Sequence, residues 1–328
     1  MASPPPAGVY VPVPTFFAPK TSANGAGTSS WATPVDLKTQ SAHSIKLAKA
    51  GIKGLVILGS TGEAVHLTNQ ERFDILSSQR KSLEEAGFKD YPIIAGTAAQ
   101  HIEEVVDQLK AAKEAGAQWG LCLVPGYFSG IIHWFTAVAD QSPIPVMIYH
   151  YPGVSNNVKV VPSTYATLAK HPNIVGCKLS HGDVSYHAQI GANPKIDHSH
   201  FHTFSGLGQQ LLPVISVGCQ GVIDGSAGFF PRSVVHLYNL AINNTPTGKE
   251  VKERQLLQYK VSVVEELVVR FGTVGIKEAI SRIMGFGDRD GTRLPLHGGI
   301  PGGDKEWENW KEAVGELEEV ETSLSDIA

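Results

Sequence analysis

Short apolar runs and longer amphipathic stretches alternate along most of this chain, and counting them predicts its architecture. Residues 9–17, 54–58, 92–96, 120–124, 145–149, 174–178, 202–205 and 221–224 read as strands. Helical segments stand between them at about 36–50, 69–85, 102–115, 131–140, 162–170, 184–192 and 209–217. A further helix over 231–242 follows the last strand. Eight strands, each followed by a helix, is the arithmetic of an α/β fold of the (β/α)8 TIM-barrel type. A doubly wound open sheet shares the alternation, but it wants a glycine-rich phosphate loop after an early strand. Gly59-Ser60-Thr61-Gly62-Glu63 lacks the G-x-G-x-x-G spacing. Pro12 and Pro14 are awkward for the centre of a sheet in the first strand, and residues 18–34, rich in Ala, Ser, Gly and Thr, form a loop.

Beyond the barrel the pattern stays helical over 249–271, 275–284 and 305–323, with a loop crowded by Gly and Pro over 285–303. This is a C-terminal helical appendage. The expected division is a barrel catalytic domain over residues 1–243 and a helical region over 244–328.

Composition narrows the class of function. An apolar fraction of 42% supplies a core, while 18% charged residues and a net charge of −4 give no basic surface for nucleic acid. No apolar run approaches the ~18 residues of a membrane span. Cys122, Cys177 and Cys219 sit scattered in apolar contexts, which fits reduced, buried thiols rather than disulfides or a zinc site. Residues 1–8 have neither the basic start nor the apolar core of a secretory signal and make no transit peptide, so the expected compartment is cytoplasmic. A soluble enzyme of small molecules is the expectation.

The candidate chemistry collects at strand ends, which in a parallel barrel share one rim. Lys178 ends the sixth strand. An amine desolvated there loses stabilisation as ammonium and becomes a nucleophile toward carbonyls, although a strand-tip lysine is also read as an ordinary surface cation. Ser60 and Thr61 stand in a turn of small residues directly after strand two, suited to a carboxylate or serving merely as a connection. Tyr127 follows strand four. Tyr149 and Tyr151 share one face after strand five by their period of two, as proton carriers or as packed rings. Amine, phenols and hydroxyls on one rim are what a Schiff-base lyase needs. His198, His200 and His202 are the tightest histidine set and the alternative, a metal-dependent aldolase or hydrolase, would have to use them. A barrel that only binds a ligand is the other alternative, and the intact lysine and tyrosines argue against it.

These pieces resemble the dihydrodipicolinate synthase and N-acetylneuraminate lyase family over nearly the whole chain. The matching runs are residues 59–63, Ala95-Gly96-Thr97, Pro125-Gly126-Tyr127, residues 149–152 and Gly176-Cys177-Lys178, with 29 residues from Tyr149 to Lys178. The resemblance implies a pyruvate-dependent class I aldolase that needs no cofactor or metal, because the substrate α-keto acid is held as a covalent imine on Lys178. It implies that Tyr149 transfers protons, that Ser60 links Tyr149 to Tyr127, and that Ser60 and Thr61 hold the keto-acid carboxylate. It also implies a homo-oligomer, a dimer or tetramer, in which Tyr127 reaches a neighbouring subunit's site. Ile223, Gln209 and Asp224 are the candidate contacts to the rest of the substrate, the last two as hydrogen-bond partners of a short polyol or as structural groups.

Two departures matter. Val154 stands where dihydrodipicolinate synthases carry an arginine for the second substrate's carboxylate, which disfavours aspartate semialdehyde. Gly206-Leu207-Gly208-Gln209 replaces the acidic residues with which neuraminate lyases hold a sugar tail. The chain as a whole, with its Gly-rich 288–303 stretch, is similar to fungal aldolases of 2-keto-3-deoxy-L-galactonate in galacturonate breakdown. The runner-up, 4-hydroxy-2-oxoglutarate aldolase, rests on the His171-Pro172-Asn173-Ile174-Val175-Gly176 run.

Overall fold

The computed structural model describes residues 1–19, 32–97, 99–127 and 130–325. The expected loop over 18–34 thus falls largely outside the described residues. Eight parallel strands, β1 (Gly8–Pro12), β2 (Gly54–Ile57), β3 (Ile93–Thr97), β4 (Trp119–Leu123), β5 (Val146–His150), β6 (Ile174–Leu179), β7 (His202–Ser205) and β8 (Gly221–Ile223), pair in sequence order and close, β1 bonding both β2 and β8. Helices α1 (Leu37–Lys49), α2 (Asn69–Glu85), α3 (Ile102–Glu114), α4 (Ile131–Gln141), α5 (Pro162–Leu168), α6 (Val184–Gly191), α7 (Leu211–Ser216) and α8 (Pro231–Ile242) ring it. This is the (β/α)8 barrel that the alternation predicts.

The first strand is shorter than its apolar run. Pairing stops at Pro12, which has no N–H to give, and Pro14 follows; Phe17 makes only an isolated bridge to Val35. The C-terminal helices are α9 (Gly248–Ala279), α10 (Gly303–Glu308) and α11 (Lys311–Ser325). The two helices expected over 249–271 and 275–284 meet within α9 at Gly272, whose backbone is non-helical (φ 56°, ψ −138°), while the expected 305–323 helix is split into α10 and α11. Thr247 and Glu250 cap the start of α9 reciprocally, as Thr68 and Glu71 cap α2, each satisfying two backbone N–H groups that the first turn leaves open.

The core has two layers. Inside the barrel Tyr10, Val56, Ile94, Leu121, Met147, Phe204 and Ile223 pack together, one from nearly every strand, and the larger cluster lies between strands and helices. Residues 2–6 close the N-terminal end of the barrel. The Trp119 indole donates to the Ser3 carbonyl (2.8 Å) and the Tyr10 hydroxyl to that of Pro6 (2.8 Å). A filled interior with one end plugged leaves the C-terminal rim as the place for chemistry.

Candidate active site

Lys178 faces inward because of a local irregularity. Val146 pairs with Ile174 but Met147 pairs with Gly176, so Val175 is an extra residue in β6. Strict alternation from Ile174 would turn Cys177 inward and Lys178 out among the helices. With the extra residue Val175 joins the inner cluster, Cys177 faces the outer core, and Lys178 comes into register with Tyr149. Gly176 is required at this bend, since a Cβ there would stand 2.3 Å from the His202 carbonyl oxygen.

The amine is 5% exposed, and its Nζ lies 4.5 Å from the centre of the Tyr149 ring. Burial drives its pKa down to about 7, with Asp224 pulling weakly upward. A substantial unprotonated fraction at neutral pH makes it a nucleophile. Burial pushes the Tyr149 phenol up to about 12, opposed by hydrogen bonds with the side chains of Ser60 and Ser180. Tyr149 therefore keeps its proton at neutral pH and has two hydroxyls through which to pass it.

Ser60 owes its place to a strained turn. Leu58, just past β2, adopts a left-handed conformation (φ 64°), and its carbonyl oxygen lies where a Cβ on Gly96 would be, 2.2 Å away. Such strain in a buried, non-glycine residue survives only where the surroundings enforce it. Gly62 and Glu63 then donate to the carbonyls of Gly59 and Ser60 (3.0 and 3.1 Å), and the Thr15 hydroxyl holds the Gly62 carbonyl (2.7 Å). Thr61 sits half-buried in the same turn. A cavity of about 270 Å³ opens here, lined by Ser60, His66, Thr97, Tyr149, Tyr151 and Val154 among others. None of the described residues lining it is lysine or arginine: Lys178 and Thr61 stand outside the lining, Lys178 with its Nζ 4.5 Å from the centre of the lining Tyr149 ring.

The remaining candidates fall differently. Ile223 is packed in the inner cluster with Tyr149 and Phe204. Asp224 is wholly buried, its Oδ2 accepting from the Ser226 hydroxyl and the Ala227 N–H, both at 2.8 Å. Its side chain bonds Glu265 of α9, whose own carboxyl is held well above the usual range by burial first and by Asp224 second. Burial beside another carboxyl favours the protonated form of Glu265. Asp224 is thus tied to Ser226, Ala227 and Glu265 and does not line the cavity. Gln209 is half-buried in the turn after β7, also away from the lining residues, and its Oε1 has no hydrogen-bond partner. Tyr127 is 78% exposed and borders a separate cleft with Trp134 and His133, so a single protomer does not bring it to Tyr149. Phe128 beside it lies outside the described residues.

The histidine trio serves the closed end. His198 contacts the Asn193 carbonyl (3.0 Å), His200 those of Ala2 and His171 (3.0 and 3.1 Å), and His202 that of Pro5 (2.8 Å). Among the described residues no group of three or more His, Cys, Asp or Glu is placed to hold a metal.

Sequence reasoning missed Ser180 and the setting of Glu63. Ser180 follows Lys178 by two, so the period of a strand already placed it on the lysine's face. The buried Glu63 carboxylate pairs with Lys277 of α9 and accepts from the Arg293 backbone N–H (3.1 Å) and His66 Nδ1 (3.2 Å). No local pattern announces partners more than two hundred residues away.

Residues 34–300 match the sequence model of the dihydrodipicolinate synthetase family. The chain is 34% identical over 323 residues to the protein of Emericella nidulans named "Probable 4-hydroxy-2-oxoglutarate aldolase, mitochondrial", covering 97% of this chain and 96% of that one. It is 32% identical over 351 residues to the L-threo-3-deoxy-hexylosonate aldolase of Aspergillus niger, covering 98% of each. A crystal structure of a dihydrodipicolinate synthase family protein from Coccidioides immitis superposes with a TM-score of 0.81 at 29% identity over 98% of both chains. By fold, by the matched span and by these full-length relatives, the chain belongs to the dihydrodipicolinate synthetase family.

Proposed function

We propose that this chain is a class I aldolase that cleaves 2-keto-3-deoxy-L-galactonate to pyruvate and L-glyceraldehyde. The observation that carries this is the buried Lys178 amine, its pKa brought to about 7, against the ring of a protonated Tyr149. Lys178 Nζ attacks the C2 ketone, Tyr149 donates to the carbinolamine oxygen, and water leaves to form the imine. The tyrosine, having given its proton, takes one from the C4 hydroxyl as the C3–C4 bond breaks and its electron pair enters the imine. Protonation of the enamine at C3 and hydrolysis release pyruvate. Ser60 and Thr61 hold the carboxylate through their hydroxyls.

The aldehyde half is argued from the cavity. With Val154 at its wall and no cation among its described lining residues, a second carboxylate gains no charge-assisted grip, whereas hydroxyls find Tyr151 and His66. The rival reading, 4-hydroxy-2-oxoglutarate, draws on the Emericella relative's name. Steady-state kinetics in the direction of synthesis decide between them: L-glyceraldehyde is expected to exceed glyoxylate and aspartate semialdehyde in kcat/KM. Val154→Arg is expected to shift the ratio toward the carboxylated aldehydes by about tenfold, the worth of one charge-assisted hydrogen bond of ~1.5 kcal/mol. A wild-type preference for glyoxylate transfers the assignment to the rival. An unchanged ratio in the variant removes Val154 from the argument.

The proposed reaction uses no metal, so activity is expected to survive EDTA; its loss, restored by a divalent cation, would reject the imine route. Tyr127 is proposed to complete a neighbouring protomer's site in a homo-oligomer, a dimer or tetramer, and a fully active monomer at assay concentration counts against this. Among the described residues no helix is long and apolar enough to cross a membrane. The cytosol is the proposed compartment, and cell fractionation against a mitochondrial marker tests it.

A further inference from the structure

The geometry points to His66 as the residue that recognises a hydroxyl on the aldehyde half of the substrate. This rests on the aldolase reading above and adds the group that sets its preference for polyhydroxy substrates. His66 lines the same cavity as Ser60 and Tyr149, at the end of the turn that carries Ser60. One edge of its ring is committed: Nδ1 lies 3.2 Å from Glu63 Oε2. That carboxylate is itself fixed, with Lys277 on Oε1 and the Arg293 N–H at 3.1 Å on Oε2, and it is fully buried. A carboxylate only accepts, so Nδ1 carries the proton of this contact and Nε2 is left as the ring's uncommitted polar atom. Among the described residues Nε2 has no hydrogen-bond partner, it is not among the buried unpartnered atoms, and the side chain is 13% exposed. A polar ring atom with its opposite edge fixed by Glu63, on a turn that lines the cavity, is suited to hydrogen-bond a substrate hydroxyl.

The surrounding ties explain why the ring does not swing away. The His66 carbonyl accepts from Arg293 Nη1 at 3.0 Å, and Arg293 is anchored in turn to Glu71 at the start of α2. Arg293 of the C-terminal segment thereby holds the backbone that carries the imidazole, while Glu63 holds its ring.

The test compares two substrates that differ only beyond C4. The six-carbon 2-keto-3-deoxy acid carries hydroxyls at C5 and C6, and 4-hydroxy-2-oxopentanoate, the adduct of pyruvate and acetaldehyde, carries neither. His66→Phe keeps the ring and removes both nitrogens, and His66→Gln keeps a polar side chain. In both variants kcat/KM for the hydroxylated acid is expected to fall by about tenfold, the size of one well-placed hydrogen bond, with KM carrying most of the change. For the pentanoate it should stay within about twofold, and borohydride trapping of pyruvate on Lys178 should be unaltered. An equal loss on both substrates, or no loss on either, overturns the assignment. Absence of trapping and of cleavage in the unmutated protein would instead reject the aldolase reading, which keeps the two failures apart.

Discussion

Lys178→Met is expected to abolish aldol cleavage and, at the same time, to make the protein more stable. The catalytic loss follows from removing the only atom on which the proposed imine forms, and should be about 10³-fold or more in kcat. Borohydride in the presence of pyruvate should add one pyruvyl mass to the peptide containing Lys178 in the unmutated protein and none in the variant. The gain in stability follows from the direction of the pKa shift. Folding lowers the lysine from its ordinary 10.5 to about 7 by burying it. Below about pH 7 both folded and unfolded chains hold the proton, and the folded state bears the full cost of a buried ammonium. As pH rises from 7 to 10.5 the folded chain has already released its proton while the unfolded chain has not, so this penalty shrinks and is gone once both are neutral. A shift of this size corresponds to a penalty of up to about 5 kcal/mol at pH 7 or below. Methionine fills a similar volume without a charge, so Tm should rise by roughly 5 °C or more at pH 7, and the difference from wild type should narrow toward pH 10. A variant that melts at or below the wild-type temperature at pH 7 would show that the amine carries no desolvation cost, and the argument for a neutral nucleophile would fail with it.

That trade of stability for reactivity was legible only in part from sequence. A single lysine ending an apolar run marks the residue, but not its direction. Residues 174–179 are apolar on both faces, as strands of a parallel barrel are, so alternation cannot tell which face is inside. The extra residue at Val175 decides it, and nothing in the composition of Ile-Val-Gly-Cys-Lys announces a bulge except Gly176. The eight strand positions were readable because each apolar run is short and bounded by a helix of different period. The end of β1 was misjudged because burial continues through Val13, Phe16 and Phe17 while the parallel ladder ends with the Val13 N–H on the Val56 carbonyl and Phe17 only bridges Val35, so hydrophobicity outlasts the strand. Asp224 read from the sequence as a partner of a short polyol or as a structural group; its burial against Glu265, which comes from a helix forty residues on, depends on tertiary packing that no local pattern carries.

Tyr149→Phe separates the chemical role of the phenol from the packing role of the ring. The ring fills the top of the inner cluster and covers the lysine at 4.5 Å, and phenylalanine preserves both contacts. What is lost is one proton. Because burial holds the phenol up to about 12, it is protonated throughout the working range, and Ser60 and Ser180 keep it oriented. In the proposed reaction it donates once, to the carbinolamine, and accepts once, from the C4 hydroxyl. General acid–base help of this kind is worth about 10²–10⁴-fold, or roughly 3–5 kcal/mol of barrier. The fall is expected in kcat, with KM changed by little, since the carboxylate-binding turn and the cavity wall are untouched. Ser60 and Ser180 are both half-buried and reach water when the phenol is gone, so folding should survive and Tm should move by only a few degrees. Pyruvate trapping on Lys178 should still go to completion, but more slowly, because carbinolamine dehydration lacks its acid. A variant with near-normal kcat would reduce Tyr149 to a packed ring and leave the proton relay to Ser60 and Ser180 alone, which at the ordinary acidity of hydroxyls is no relay at all.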